Sequence, residues 1–228
     1  MNVPLAAWQY LTLFGDIAFM LPLAATIALY LRSARAPGLA IHWGLYFLLT
    51  MSLVVLSKLA FIGWGFGIAS LDFTGFSGHA TRVCVLLPVL AVLAMRDAPR
   101  QRRYAVTGSA IACALLISYS RIVVHAHSMS EAVSGAALGF SAAWRFLRIA
   151  QRQRLTLPGR WLLRASAIGL LLPLACFPMR GTVATPTQAL LTQVALSLSG
   201  HSRPHTRADW HATRSSNAGT LFDSQIRN

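Results

Sequence analysis

Negative charge is nearly absent from this chain. Six acidic residues stand against twenty basic ones in 228 positions, and charged residues of both signs make up only 11% of the total. With 55% hydrophobic residues and a mean hydropathy of +0.55, the apolar positions fall in long blocks, where a water-soluble domain would spread them periodically. Cysteine is equally scarce. Cys84, Cys113 and Cys176 each lie inside an apolar block and read as small buried hydrophobes, which argues against a disulfide framework and against a zinc site. Lysine occurs once, at Lys58, so the net charge of +14 rests on arginine. No basic stripe interleaved with aromatics is present, and nucleic acid is rejected as the partner on that ground. The first apolar block has no Lys or Arg before it and exceeds the apolar core of a signal peptide, so it reads as a retained helix.

What remains is an all-α, polytopic membrane helix bundle with about six transmembrane helices. The spans fall at 5–31, 39–57, 77–95, 104–119, from 127 or 128 to 144, and at 161–178. Between the second and third, residues 59–76 place Gly63, Gly65, Gly67 and Gly75 among aromatics, a composition suited to a re-entrant or interfacial loop. Asp16 lies inside the first span, where a carboxylate is costly and serves either function or a helix–helix hydrogen bond. The connectors 32–38, 96–103 and 145–160 hold eleven arginines, whereas 58–76 and 120–127 hold one lysine and one arginine. The positive-inside bias assigns the first set to the cytoplasm, in contact with anionic head groups, and turns the N-terminus and the second set outward. Residues 1–180 thus form the transmembrane domain. Residues 181–228 form a C-terminal segment, with an interfacial amphipathic helix over 187–199 and a polar tail over 200–228 expected to be disordered or loosely attached.

Two polar clusters face outward in this layout. Ser77-Gly78-His79 opens the third span, where unpaired backbone N–H groups and the positive helix end favour an anion, and Gly78 lets an oxygen approach the main chain closely. Ser120-Arg121 closes the fourth span, and the Arg121 guanidinium matches the geometry of phosphate oxygens. His127 and Glu131 are four apart at the start of the fifth helix, so the carboxylate can hold one imidazole nitrogen and leave the other as attacking base. His79 is then available as an acid for a leaving oxygen. Lys58 either snorkels to the interface or points into the pocket as a phosphate ligand. Single pieces repeat by chance: Ser-Gly-His recurs at Ser199 to His201, where nothing completes it, and His125 stands two residues before His127.

In order and spacing, Lys58, Ser77-Gly78-His79, Ser120-Arg121, His127 and Glu131 resemble the three-part signature of the type 2 phosphatidic acid phosphatase superfamily, over roughly 58–139. The resemblance implies an integral-membrane lipid phosphate or diphosphate phosphatase of the bacterial inner membrane, its site facing the periplasm or cell exterior, with neither metal nor cofactor required. His127 would form a phosphohistidine, Glu131 would orient it, and His79 would be the general acid. Lys58, Arg121, Ser77, Gly78 and Ser120 would bind phosphate. The signature's Arg-Pro pair is replaced by Gly65 and Phe66; Arg82, one turn beyond His79, is the candidate substitute ligand. Phe76 stands in place of proline, and Glu131 in place of aspartate. A silent relative acting in lipid binding or membrane assembly is the second reading, and a transporter the third.

Overall fold

A computed structural model describes residues 4–176 and 186–210, with side chains over 4–168 and 187–210. The described residues are helical. In chain order they form α1 (Leu5–Leu13), α2 (Ile17–Ser33), α3 (Pro37–Trp64), α4 (Gly78–Ala94), α5 (Arg100–Val123), α6 (Met129–Ala150), α7 (Gly159–Cys176) and α8 (Pro186–Ser199). Three stretches are long and apolar enough to cross a membrane: Leu5–Ser33, Pro37–Trp64 and Arg100–Val123. α4 is apolar but shorter. Of the six spans expected, three therefore meet that standard by length and hydropathy. The end of the sixth, at 177–178, lies outside the described residues, as do 1–3, 179–185 and 211–228.

The boundaries differ from the sequence expectation in instructive places. The first span is not one rod, because it breaks at Phe14-Gly15-Asp16 and restarts with Asp16 as the N-cap of α2, its Oδ1 accepting from Ala18 N–H at 2.9 Å. α3 runs past Ser57 to Trp64, where left-handed Gly65 (φ 73°) stops it, so the expected loop begins later than 59.

The chain divides into two compact units, Met1–Val54 with Phe76–Val183, and Val55–Gly75 with Ala184–Asn228. In the first, α4 is the central helix, buried on nearly all sides through Ala80, Val83, Cys84, Val85, Leu86 and Val89. α6 approaches it through glycine. A Cβ on Gly135 would lie 2.8 Å from Ser77 O, and one on Gly139 2.5 Å from Thr81 O, so only the missing side chains let the two backbones come this close. Trp43 of α3 fills the other side, donating to Ala24 O at 2.9 Å and packing edge-on against Phe146, 5.1 Å between ring centres. Outward faces are apolar instead of polar: Leu21, Leu29, Ile41, Leu45, Leu48, Leu115 and Leu116 are all exposed, as a lipid-facing surface requires. At the arginine-rich end, Arg100, Arg148 and Arg164 lie over the exposed rings of Tyr104, Trp144 and Trp161 at 5.4, 4.8 and 5.4 Å. Arginines over amphipathic rings are compatible with the ends of membrane helices, where such rings are enriched.

The second unit has its own small core of Phe61, Ile62 and Ala195, with Leu59, Leu191 and Trp210 against it. Gly63 lets α8 close in, since a Cβ there would lie 3.2 Å from Ala195 O. Within the expected loose tail, residues up to 210 are docked. His201 Nδ1 shares a hydrogen bond of 2.7 Å with Gly63 O, His205 N–H donates to Ile62 O at 2.9 Å, and Trp210 packs edge-on against Phe61.

Candidate active site

Three helix ends and one helix break meet at the end of the first unit away from the arginine-rich connectors. α5 finishes in a Schellman turn. Ala126 N–H donates to Arg121 O and His125 N–H to Ile122 O, both at 3.0 Å, with His125 left-handed at φ 54°. His125 thus belongs to the turn. His127 N–H donates to Arg121 O as well, at 3.2 Å, which fixes His127 directly beneath the last turn of α5.

Ser128 then caps α6 in a capping box: Glu131 N–H donates to Ser128 Oγ, and Ser128 N–H donates back to Glu131 Oε2, each at 3.3 Å. The same Oε2 lies 2.6 Å from His127 Nδ1. One fully buried carboxylate therefore starts the helix and orients the imidazole. Held against an acceptor, Nδ1 carries the proton, and Nε2 is the nitrogen with a lone pair for chemistry.

α4 is joined to this corner by its N-cap residue. Ser77 N–H donates to Glu131 O at 3.1 Å, directly under Gly135. One turn on, Arg82 Nε donates to Gly15 O at 3.1 Å and Arg82 Nη2 approaches His79 Nδ1 at 3.3 Å. A guanidinium only donates, so Nδ1 accepts and the His79 proton sits on Nε2. That nitrogen is 3.8 Å from Asp16 Oδ2. Gly15 keeps the break close against this ring, since a Cβ there would lie 3.0 Å from His79 Cδ2. Arg121 reaches the same place from α5, its Nη1 donating to Thr12 Oγ1 at 2.8 Å. The Asp16 charge acts on both Arg82 and Arg121, which also repel each other.

Two buried polar atoms here, Arg121 Nε and Ser77 Oγ, have no hydrogen-bond partner among the described residues. Buried donors are costly when unmade, and these two, with the Arg82 guanidinium and a helix N-terminus beside them, make the complement of an oxyanion. Gly78 contributes room: a Cβ there would lie 3.1 Å from Arg82 Nη1, so its absence lets Arg82 fold back over the start of α4.

Of the residues singled out in the sequence, His79, Arg82, Ser77, Gly78, Arg121, His127 and Glu131 occupy this one end of the unit. Ser120 is here too, but its Oγ donates to Ile117 O at 2.6 Å, inside its own helix. Lys58 belongs to the second unit, near the end of α3 and beside Gly75. Thr12 and Gly15 were missed, and Asp16 was noticed as a costly carboxylate serving either function or a helix–helix hydrogen bond, not as the cap of a helix break. The signal was Gly15-Asp16 itself, a stop followed by a cap in the middle of an apolar run.

The PAP2 superfamily model matches residues 68–155, a region that holds both polar clusters and begins beyond Lys58. An uncharacterized 22.5 kDa protein in the cps region of Klebsiella pneumoniae is 36% identical over 207 residues, covering 90% of this chain and 97% of the relative. No solved structure matches the chain. Kinship over nearly its whole length, with the family model seated on the corner built by α4, α5 and α6, makes this chain a member of the PAP2 superfamily.

Proposed function

We propose that the protein is an integral-membrane phosphatase acting on a lipid phosphate or diphosphate through a phosphohistidine. The observation that carries this is the 2.6 Å contact between His127 Nδ1 and the buried Glu131 carboxylate, which sets Nε2 up as the nucleophile. The Nε2 lone pair attacks phosphorus, the bond to the lipid alcohol or lipid phosphate breaks, and the leaving oxygen takes a proton from His79 in its imidazolium form, which becomes the neutral imidazole. Water then attacks the phosphohistidine, gives its proton to His79 Nε2, and the P–N bond breaks to restore His127. Arg121 Nε, Ser77 Oγ, Arg82 and the first turn of α4 stabilise charge on the equatorial oxygens. No step calls on a metal.

Six crossings, by the α1–α2 stretch and by α3 to α7, put the arginine-rich connectors in the cytoplasm and this site on the outer side of a bacterial inner membrane. A substrate whose tail stays in the bilayer then presents its head group at the helix ends. The test is release of phosphate from a panel of lipid phosphates and diphosphates by purified protein in detergent with EDTA present. Wild type should turn over and trap an acid-labile, base-stable phosphoenzyme, and His127→Ala should do neither. Undiminished release by folded His127→Ala would falsify the nucleophile, and inert wild-type protein would leave a binding or assembly role for this member.

A further inference from the structure

The first unit has a second polar pocket, at its opposite end. The seventeen residues of α4 at ~1.5 Å per residue place it about 25 Å from the His79 corner. A cavity of about 530 Å³ opens where the end of α4, the start of α5 and the end of α6 converge, with Arg96, Arg103, Thr107 and Gln151 around it and Leu93 and Leu147 in its wall. Two polar atoms of that lining, Arg96 Nη1 and Thr107 Oγ1, are buried and have no hydrogen-bond partner among the described residues. Acid is nearly missing nearby. Asp97 donates nothing to the cavity: its Oδ2 accepts from Gly159 N–H at 2.8 Å, and its Oδ1 lies 3.5 Å from Arg96 Nε, on the other edge of the guanidinium.

Two guanidiniums, an unpaired hydroxyl and an amide around one space, with apolar walls behind them, match an oxyanion carried on an apolar body. The cavity lies at the level of the arginines over Tyr104 and Trp144, a setting compatible with the ends of membrane helices, where head groups reside. We propose that this cavity binds a phosphate-bearing anion, with Arg96 and Arg103 holding the oxygens and Thr107 donating from the floor. The same chemistry is offered by an anionic phospholipid head group and by free phosphate, and a site of this kind would couple the protein's stability to the anion content of the leaflet on the side away from catalysis. The proposal is independent of the phosphatase reading.

The full chain in detergent tests it by thermal unfolding in an Arg121→Gln background, which removes anion binding at the other end. Short-chain phosphatidylglycerol should raise Tm by several degrees, phosphatidylcholine should not, and Arg103→Gln should at least halve the shift. A shift with phosphatidylglycerol alone assigns the site to lipid, and an equal, Arg103-dependent shift with inorganic phosphate assigns it to the free anion. If Arg103→Gln does not fold, Thr107→Val removes the buried hydroxyl without touching charge and should reduce the shift. A shift equal in the variants and wild type, one produced equally by phosphatidylcholine, or no shift at all would overturn the site.

Discussion

Glu131 performs two tasks with one oxygen, and they can be separated by keeping its shape and removing its charge. Glu131→Gln retains an acceptor for Ser128 N–H and for His127 Nδ1–H, so α6 should still start where it does. What it loses is the negative charge that offsets the positive imidazole formed as Nε2 is phosphorylated. We expect kcat to fall by roughly 10²-fold with KM little changed and Tm preserved. Asp16 gives a prediction of opposite sign for binding. Asp16→Asn keeps the α2 cap but removes the negative charge that acts on both Arg82 and Arg121, so inorganic phosphate should inhibit more tightly, by about tenfold, the factor given by ~1.4 kcal/mol. The same change should slow turnover, because His79 Nε2 loses the carboxylate 3.8 Å away. Unchanged phosphate inhibition would show that Asp16 only caps. At this scale the histidines, Arg121 and Glu131 were legible, because their spacing on helix starts is a property of the sequence. Thr12 was not, since a threonine in an apolar run announces nothing until the break brings it to Arg121, and Gly15 was passed over although Gly15-Asp16 reads as a stop followed by a cap.

Helix against helix, the site depends on backbones meeting without side chains between them. A methyl on Gly139 would meet Thr81 O at 2.5 Å with the Cys84 Cβ at 2.8 Å, both rigid parts of α4. Gly139→Ala should therefore push α6 away and cost about 1–3 kcal/mol, seen as a lower Tm, with turnover lost as His127 drifts from the α4 corner. Gly108 is the matched control. It sits in α5 with nothing within 4 Å of its missing Cβ, so Gly108→Ala should raise stability by roughly 0.5–1 kcal/mol and leave activity unchanged. The turn between α5 and α6 offers a gain of similar kind. His125 holds a left-handed conformation that glycine adopts without strain, so His125→Gly should raise Tm and keep turnover, which also separates this histidine from the chemistry. Hydropathy located most of the helices and blurred their ends. It averaged over the Gly15-Asp16 break, and it could not foresee the docking of residues 201–210, because that rests on single contacts of His201 and Trp210 within an otherwise polar run.

For the whole molecule, α5 decides the topology: α4, α5 and α6 all run between the two ends on which the functional reading and the second cavity depend, and of these three α5 alone is long and apolar enough to cross a membrane. Its 24 residues extend for about 36 Å, enough for a hydrocarbon core of about 30 Å. Its first turn lies in the arginine-rich region and its last carries Arg121 into the site. In a cysteine-free background, with Cys84, Cys113 and Cys176 replaced, Gln101→Cys and Ala126→Cys mark its two flanks. A membrane-impermeant thiol reagent added to intact cells should label Ala126→Cys, and should reach Gln101→Cys only once the membrane is permeabilised. The reverse pattern would keep the crossing and turn the catalytic corner toward the cytoplasm, so the arginines would owe their clustering to something other than the positive-inside bias. Labelling of both from one side would mean that α5 does not cross at all. The corner built from His79, Arg121 and His127 and the cavity under Arg96 and Arg103 would then share one aqueous phase, and a substrate anchored in one leaflet would no longer explain why they stand at opposite ends of a helix.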